Sequence, residues 1–176
     1  MEFEITKKAK RNTLIIAIAG LILTTIGIIN GIHDHHFVTR FMVSSLFNSF
    51  FFFALGLGAL FFLALAYATE TAWYAAVKRV IEAVAGFLPY GIGLLGIVLL
   101  TITMLDGAHI YSWMNPETVA HDEIIQGKSA YLNKPFFWIR TLVYFSVYLI
   151  FLRGFRKRSL EEDRIGGTEL HFKNYK

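Results

Sequence analysis

Asp106, His109 and Arg140 bring a carboxylate, an imidazole and a guanidinium to the same end of two apolar segments. Ionisable groups inside a bilayer are expensive, at least about 2.5 kcal/mol each near a helix centre, so they are the first candidates for function. Asp106 and His109 are three residues apart and share a face if the helix continues through them. Three such groups at one depth could pass protons or hold a polar headgroup. Arg140 has a plainer reading, in which its aliphatic stem lets the guanidinium snorkel to the headgroups.

Two further clusters carry ionisable side chains. His33, Asp34, His35 and His36 follow the first apolar run. Contiguous residues fan out in a loop or strand, and only His33/His36 has a spacing that suits a helical metal pair. An outer polar cap, a proton antenna, a metal site and a solvated loop all remain open for this group. We assign it no metal and take it as an outer polar cap. Glu70, Arg79 and Glu82 form the third cluster, with Arg79 and Glu82 three apart. They read as proton-path or headgroup candidates, or as a surface ion pair worth under about 1 kcal/mol.

The elements that must position these residues are apolar. Runs cover 13–32, 45–68, 86–105 and 135–152, the last interrupted only by Arg140. About 20 mainly apolar residues span roughly 30 Å of hydrocarbon. Hydrophobic residues make up 55% of the 176, and mean hydropathy is +0.51, too oily for a soluble domain of this size. The expected fold class is all-α integral membrane: four transmembrane helices in a single domain over 1–176.

Lysine and arginine placement sets the expected orientation. Thirteen lie in the N-terminal tail, between spans two and three, and in the C-terminal segment; four lie on the other side, Arg40, Lys128 and Lys134 in its loops and Arg140 near the outer end of span four. Both termini are therefore expected in the cytoplasm, with 33–44 and 106–134 outside. The net charge of +4 sits at membrane edges, which fits anionic lipid rather than nucleic acid. The first run follows a mixed acidic and basic leader with no A-x-A site, so it is expected to remain as a span.

Between spans two and three, residues 70–84 place Trp73, Val77, Ile81 and Val84 at helical spacing, with Thr71, Lys78 and Glu82 opposite. This pattern predicts an amphipathic helix lying on the cytoplasmic interface. A short surface helix is expected near 117–127. Gly20, Thr24, Gly27 and Gly31 form a small-residue stripe on span one, and Gly93 and Gly96 are expected to pack against a neighbour. The phenylalanines of span two read as lipid contact and packing.

Absences narrow the chemistry. There are no cysteines, which excludes disulfides, cysteine-held iron–sulfur clusters and covalent haem. The six histidines fall in loops, at span ends or in the tail, so a bis-histidine membrane haem is not expected. No nucleophile elbow, phosphate loop or HExxH motif is present, and no catalytic residue is assigned. Redox work by this chain would have to use a diffusible carrier such as quinol.

The ordered residues also carry a resemblance. They run WYAAVKRVIEA over 73–83, FLPY over 87–90, HIYSWM over 109–114 and GKSAYLNKPFFWIR over 127–140. RKRSLEED follows over 156–163 and GGTELHFKNYK over 166–176. The chain resembles the smaller quinol-binding-type membrane subunit of alternative complex III, the bacterial quinol:cytochrome c oxidoreductase. That subunit is itself similar to polysulfide-reductase membrane anchors.

The resemblance implies a bacterial inner-membrane protein in electron transport from quinol to cytochrome c or to an attached terminal oxidase. It implies partners carrying haem c and iron–sulfur clusters: multihaem and monohaem cytochromes c, an iron–sulfur subunit and a related membrane subunit. Menaquinol or another quinol is the implied small molecule, and no cofactor is held by this chain. Quinol oxidation belongs chiefly to the related subunit in that picture, leaving assembly and a proton path or quinol site here. Asp106, His109 and Arg140 would lie on the outer side, and Glu70, Arg79 and Glu82 on the inner. Chains of that family carry more than four spans, so these residues are expected to be the N-terminal part of a longer subunit. Two other readings stand beside it: a small four-span transporter or channel component without redox partners, and a structural anchor. A transporter would call for polarity near mid-span, and the mid-spans here are nearly all apolar.

Overall fold

The computed structural model describes residues 6–31, 34, 36–69, 74, 76–104 and 110–165. They are mainly helical, with no strand among them. In order they form α1 (Lys7–Gly31), α2 (Phe37–Ala68), α3 (Lys78–Ala85), α4 (Leu88–Met104), a 3-10 turn (Ser112–Met114), α5 (Pro116–His121), α6 (Glu123–Gly127) and α7 (Lys134–Ile165). Four stretches are long and apolar enough to cross a membrane: Lys7–Gly31, Phe37–Ala68, Lys78–Met104 and Lys134–Arg164. The helices group into two compact units, residues 1–41 and 42–176, with the division falling inside α2.

In the first unit, Asp34 organises the entry to α2. Its carboxylate accepts from the His36 backbone N–H at 2.9 Å and faces Arg40 at 3.4 Å. Helix α2 starts at Phe37, so most of the stretch expected as a loop over 33–44 is helical instead. A carboxylate just ahead of the first turn supplies an acceptor that the apolar pattern alone does not reveal.

The second unit is built on a close crossing of α2 and α4. A Cβ added at Gly56 would lie 2.9 Å from Leu88 Cα, and one added at Gly91 would lie 2.9 Å from Phe53 Cα. Each glycine thus receives the other helix's backbone, which is how helices approach closely where lipid supplies no hydrophobic drive. The glycines expected to pack here need correction. A Cβ added at Gly93 would meet nothing within 4 Å, so that expectation fails, while one added at Gly96 would meet Phe145 of α7 at an ordinary 3.9 Å. Gly91, two residues earlier, faces the neighbour. Around the crossing, Leu60, Leu63, Leu88, Leu95 and Leu99 form the core, with Phe145, Tyr148 and Leu149 of α7 against it. Phe53 is the buried phenylalanine of α2; Phe47, Phe50, Phe51, Phe52 and Phe61 are exposed on its outside, as lipid contact requires.

Residues 78–85 depart from the expected separate helix over 70–84. Lys78–Ala85 is helical and passes through a turn at 86–87 directly into α4. Gly86 keeps a right-handed helical backbone, and its N–H still reaches Glu82 O at 2.9 Å. The interruption follows from Pro89, which has no N–H for the carbonyl one turn earlier. Residues 70–73 and 75, the start of the expected helix, lie outside the described residues. Tyr74 and Ala85 are buried, and Ile81 packs against the core.

The loop before α7 is folded by side-chain caps. Asn115 accepts from Glu117 N–H at 3.0 Å, and Asp122 accepts from Ile124 and Ile125 N–H at 2.9 and 3.2 Å. The expected surface helix near 117–127 is accordingly two helices, broken where Asp122 restarts the chain. Asn133 Oδ1 then accepts from Phe136 N–H at 2.8 Å and opens α7. Helix α7 has 32 residues, so at about 1.5 Å each it is about 48 Å long. The apolar run ended at Leu152, but the helix continues to Ile165 and carries its charged end against α3.

Candidate functional site

Three places among the described residues of 42–176 bring chemistry-bearing side chains together. One is an apolar cavity of about 560 Å³ between α2, α4 and α7, a volume within the ordinary range for small-molecule sites. Phe50 and Phe53 come from α2, Leu95 and Leu99 from α4, and Phe145 and Tyr148 from α7. Phe137, Thr141, Tyr144, Phe145 and Tyr148 recur at i, i+4, i+7, i+8 and i+11, so one face of α7 forms a whole wall. The Thr141 hydroxyl is already used, donating to Phe137 O at 2.8 Å. The polar groups left at the wall are the phenols of Tyr111, Tyr144 and Tyr148.

One end of the cavity is shaped by the loop. Tyr111, Trp113 and Phe137 form a ring triangle with centroid separations of 5.8, 6.3 and 5.6 Å. Burial raises the pKa of Tyr111 above its ordinary value, because the phenolate would lose its water.

Arg140 lies near the same end of α7. Its guanidinium stands 4.1 Å from the Tyr131 ring centroid and 5.5 Å from that of Phe136. Nη1 is buried and has no hydrogen-bond partner among the described residues. Asp106 and His109, the expected partners, lie outside the described residues, as do His33, His35 and Glu70. The half-buried position shows a cation housed by aromatic faces, an arrangement worth about 0.5–2 kcal/mol. Phe136 and Arg140 are four apart, so this contact was legible in the sequence; Tyr131 was not.

The third place is the α3–α7 contact. Lys78 pairs with Glu162, the two side chains only 15% and 20% exposed. Arg79 pairs with Glu82 at 2.9 Å and with Asp163, and donates to Ser159 Oγ at 3.2 Å. Lys78 also stands 5.6 Å from the Tyr67 ring, which stacks on Phe155 at 5.2 Å. The expected Arg79–Glu82 pair therefore exists, but as one edge of a network between helices. Ser159, Glu162 and Asp163 were missed because the apolar run stops at Leu152. The signal available was helical: Leu152, Arg156, Ser159 and Asp163 share one face.

Of the outer polar cap, Asp34 and His36 are described. Asp34 is engaged by Arg40, and no group of three metal-ligating side chains occurs among the described residues. Neither a protein-family model nor a curated protein matches this chain.

Proposed function

We propose that this chain is an integral membrane subunit of a bacterial respiratory complex that oxidises quinol and reduces cytochrome c, of the alternative complex III type. The apolar, aromatic-lined cavity is the observation that carries the reading. A quinol has an apolar ring and tail and two hydroxyls, and the cavity offers apolar walls with phenols as its polar groups. A transporter of polar solutes would call for polarity there instead.

Oxidation of a quinol to a quinone releases two protons and two electrons. This chain has no cysteine, so the electrons would pass to haem c or iron–sulfur partners. The α3–α7 ionic network and Arg140 lie toward opposite ends of α7 and serve as proton-path elements or as assembly contacts. Both termini are cytoplasmic in this reading, and α3 rests near the inner surface.

Purification of the native assembly tests the partners: c-type haem proteins and an iron–sulfur subunit should co-elute. Thr141→Trp, which fills the cavity, should raise KM for quinol with helix content unchanged. Isolation as a haem-free homo-oligomer with solute transport would reject the reading. Cysteines placed at Gly127 and at Arg158 should react with impermeant reagent from opposite sides. Ser159 does not suit this purpose, because it is buried.

A further inference from the structure

A second cavity, of about 370 Å³, lies where α3 and α7 meet beside Leu63 of α2, and its lining mixes leucines with charged and polar side chains. Leu63, Leu152 and Leu160 form an apolar wall; Arg79, Arg156 and Ser159 line the polar part with Glu82. The charges there are unevenly matched. Arg79 is answered by Glu82 and Asp163. Arg156 pairs with no carboxylate among the described residues, although it lines the same cavity. Ser159 is 1% exposed, and its hydroxyl accepts from Arg79 and donates to no described residue. A guanidinium with no carboxylate partner among the described residues and a buried hydroxyl with a proton to give thus line one small space.

Those are the groups that hold a phosphate oxyanion, since arginine offers a fork of N–H donors to phosphate oxygens. The leucine wall says which phosphate. A soluble phosphate gains nothing from Leu63, Leu152 and Leu160, whereas a phospholipid lays its glycerol and first methylenes against them. The position agrees: Arg156 follows the apolar part of α7, where a membrane-crossing helix reaches headgroup depth. Arg153, Lys157 and Arg158 flank it, also with no carboxylate partner among the described residues, and raise the local concentration of anionic lipid. We propose that the cavity between α3 and α7 binds the phosphate of an anionic phospholipid, engaged by Arg156 and the Ser159 hydroxyl. Occupancy would brace α3 against α7 at the Lys78–Glu162 and Arg79–Asp163 pairs. Nothing in this proposal depends on quinol.

The test is lipid retention by the full chain, read by native mass spectrometry with phosphatidylglycerol or phosphatidylcholine as probe. Wild type should prefer phosphatidylglycerol. Arg156→Gln should weaken that binding about tenfold, the loss expected for one charge-assisted contact. Arg158→Gln, an equal change in net charge on another face, should weaken it far less. If Arg156→Gln lowers helix content, Arg156→Lys keeps the charge, drops the fork and should still bind more weakly than wild type. Equal losses for Arg156→Gln and Arg158→Gln would overturn the proposal in favour of diffuse surface attraction. Displacement of the lipid by an equal concentration of inorganic phosphate would overturn it in favour of a soluble ligand. Equal binding of the two lipids would overturn it outright.

Discussion

The guanidinium carbon of Arg140 sits 4.1 Å above the ring of Tyr131. An arginine cannot lose its proton to escape a low-dielectric site, so it needs a partner that tolerates burial, and the ring face supplies one. Arg140→Leu and Tyr131→Leu should each destabilise the protein. The double variant should cost less than their sum, with a coupling of about 0.5–2 kcal/mol. Arg140→Lys should recover only part of the loss, because an ammonium does not stack. Unfolding in mixed micelles of the four proteins measures the cycle; strict additivity would show that Arg140 snorkels independently of Tyr131.

The α2–α4 crossing leaves no room for a methyl group. Gly56→Ala and Gly91→Ala each push a Cβ to 2.9 Å from a backbone atom of the other helix, and should cost about 1–3 kcal/mol. Gly93→Ala has open space and should be close to neutral. Thermal unfolding in detergent distinguishes them. Equal midpoints for Gly91→Ala and Gly93→Ala would place the crossing elsewhere.

Lys78 and Glu162 protect each other from water. Lys78→Met removes the cation facing a largely buried carboxylate and should destabilise by about 2 kcal/mol. Lys78→Met combined with Glu162→Leu should be closer to wild type than either single change. Arg79 and Glu82 are 54% and 18% exposed, so removing that pair alone should cost under about 1 kcal/mol. Chemical denaturation of this set ranks the contacts; a double variant worse than both singles would contradict the buried-pair account.

Tyr111 makes stability depend on high pH. Its folded pKa is raised by burial, so folding favours the neutral phenol. The contribution is whole below the unfolded value of about 10 and is lost as pH rises through the folded pKa. Tyr111→Phe cannot ionise and should lose less stability over that window. Phenolate absorbance should show a late-titrating component in the wild type that is smaller by one tyrosine in the variant. Coincident titration curves and equal alkaline stability losses would count against a buried phenol.

The sequence by itself determined the class of fold. Apolar runs of about 20 residues are long enough to cross lipid as helices, and the four runs appear as four long helices. Capping residues were equally local: Asn115, Asp122 and Asn133 act within a few positions of themselves. The Arg79–Glu82 pair was legible because three residues along a helix is a fixed distance. Tertiary structure decided what depends on which face meets which. Gly91 rather than Gly93 receives α2, a difference of two residues that turns a helix face by about 200°. The charged end of α7 lies beyond the apolar run, yet it brings Ser159, Glu162 and Asp163 to α3, some 80 residues away in sequence. The aromatic cavity arises only when faces of α2, α4 and α7 meet, because phenylalanines that pack and phenylalanines that touch lipid look the same along a chain.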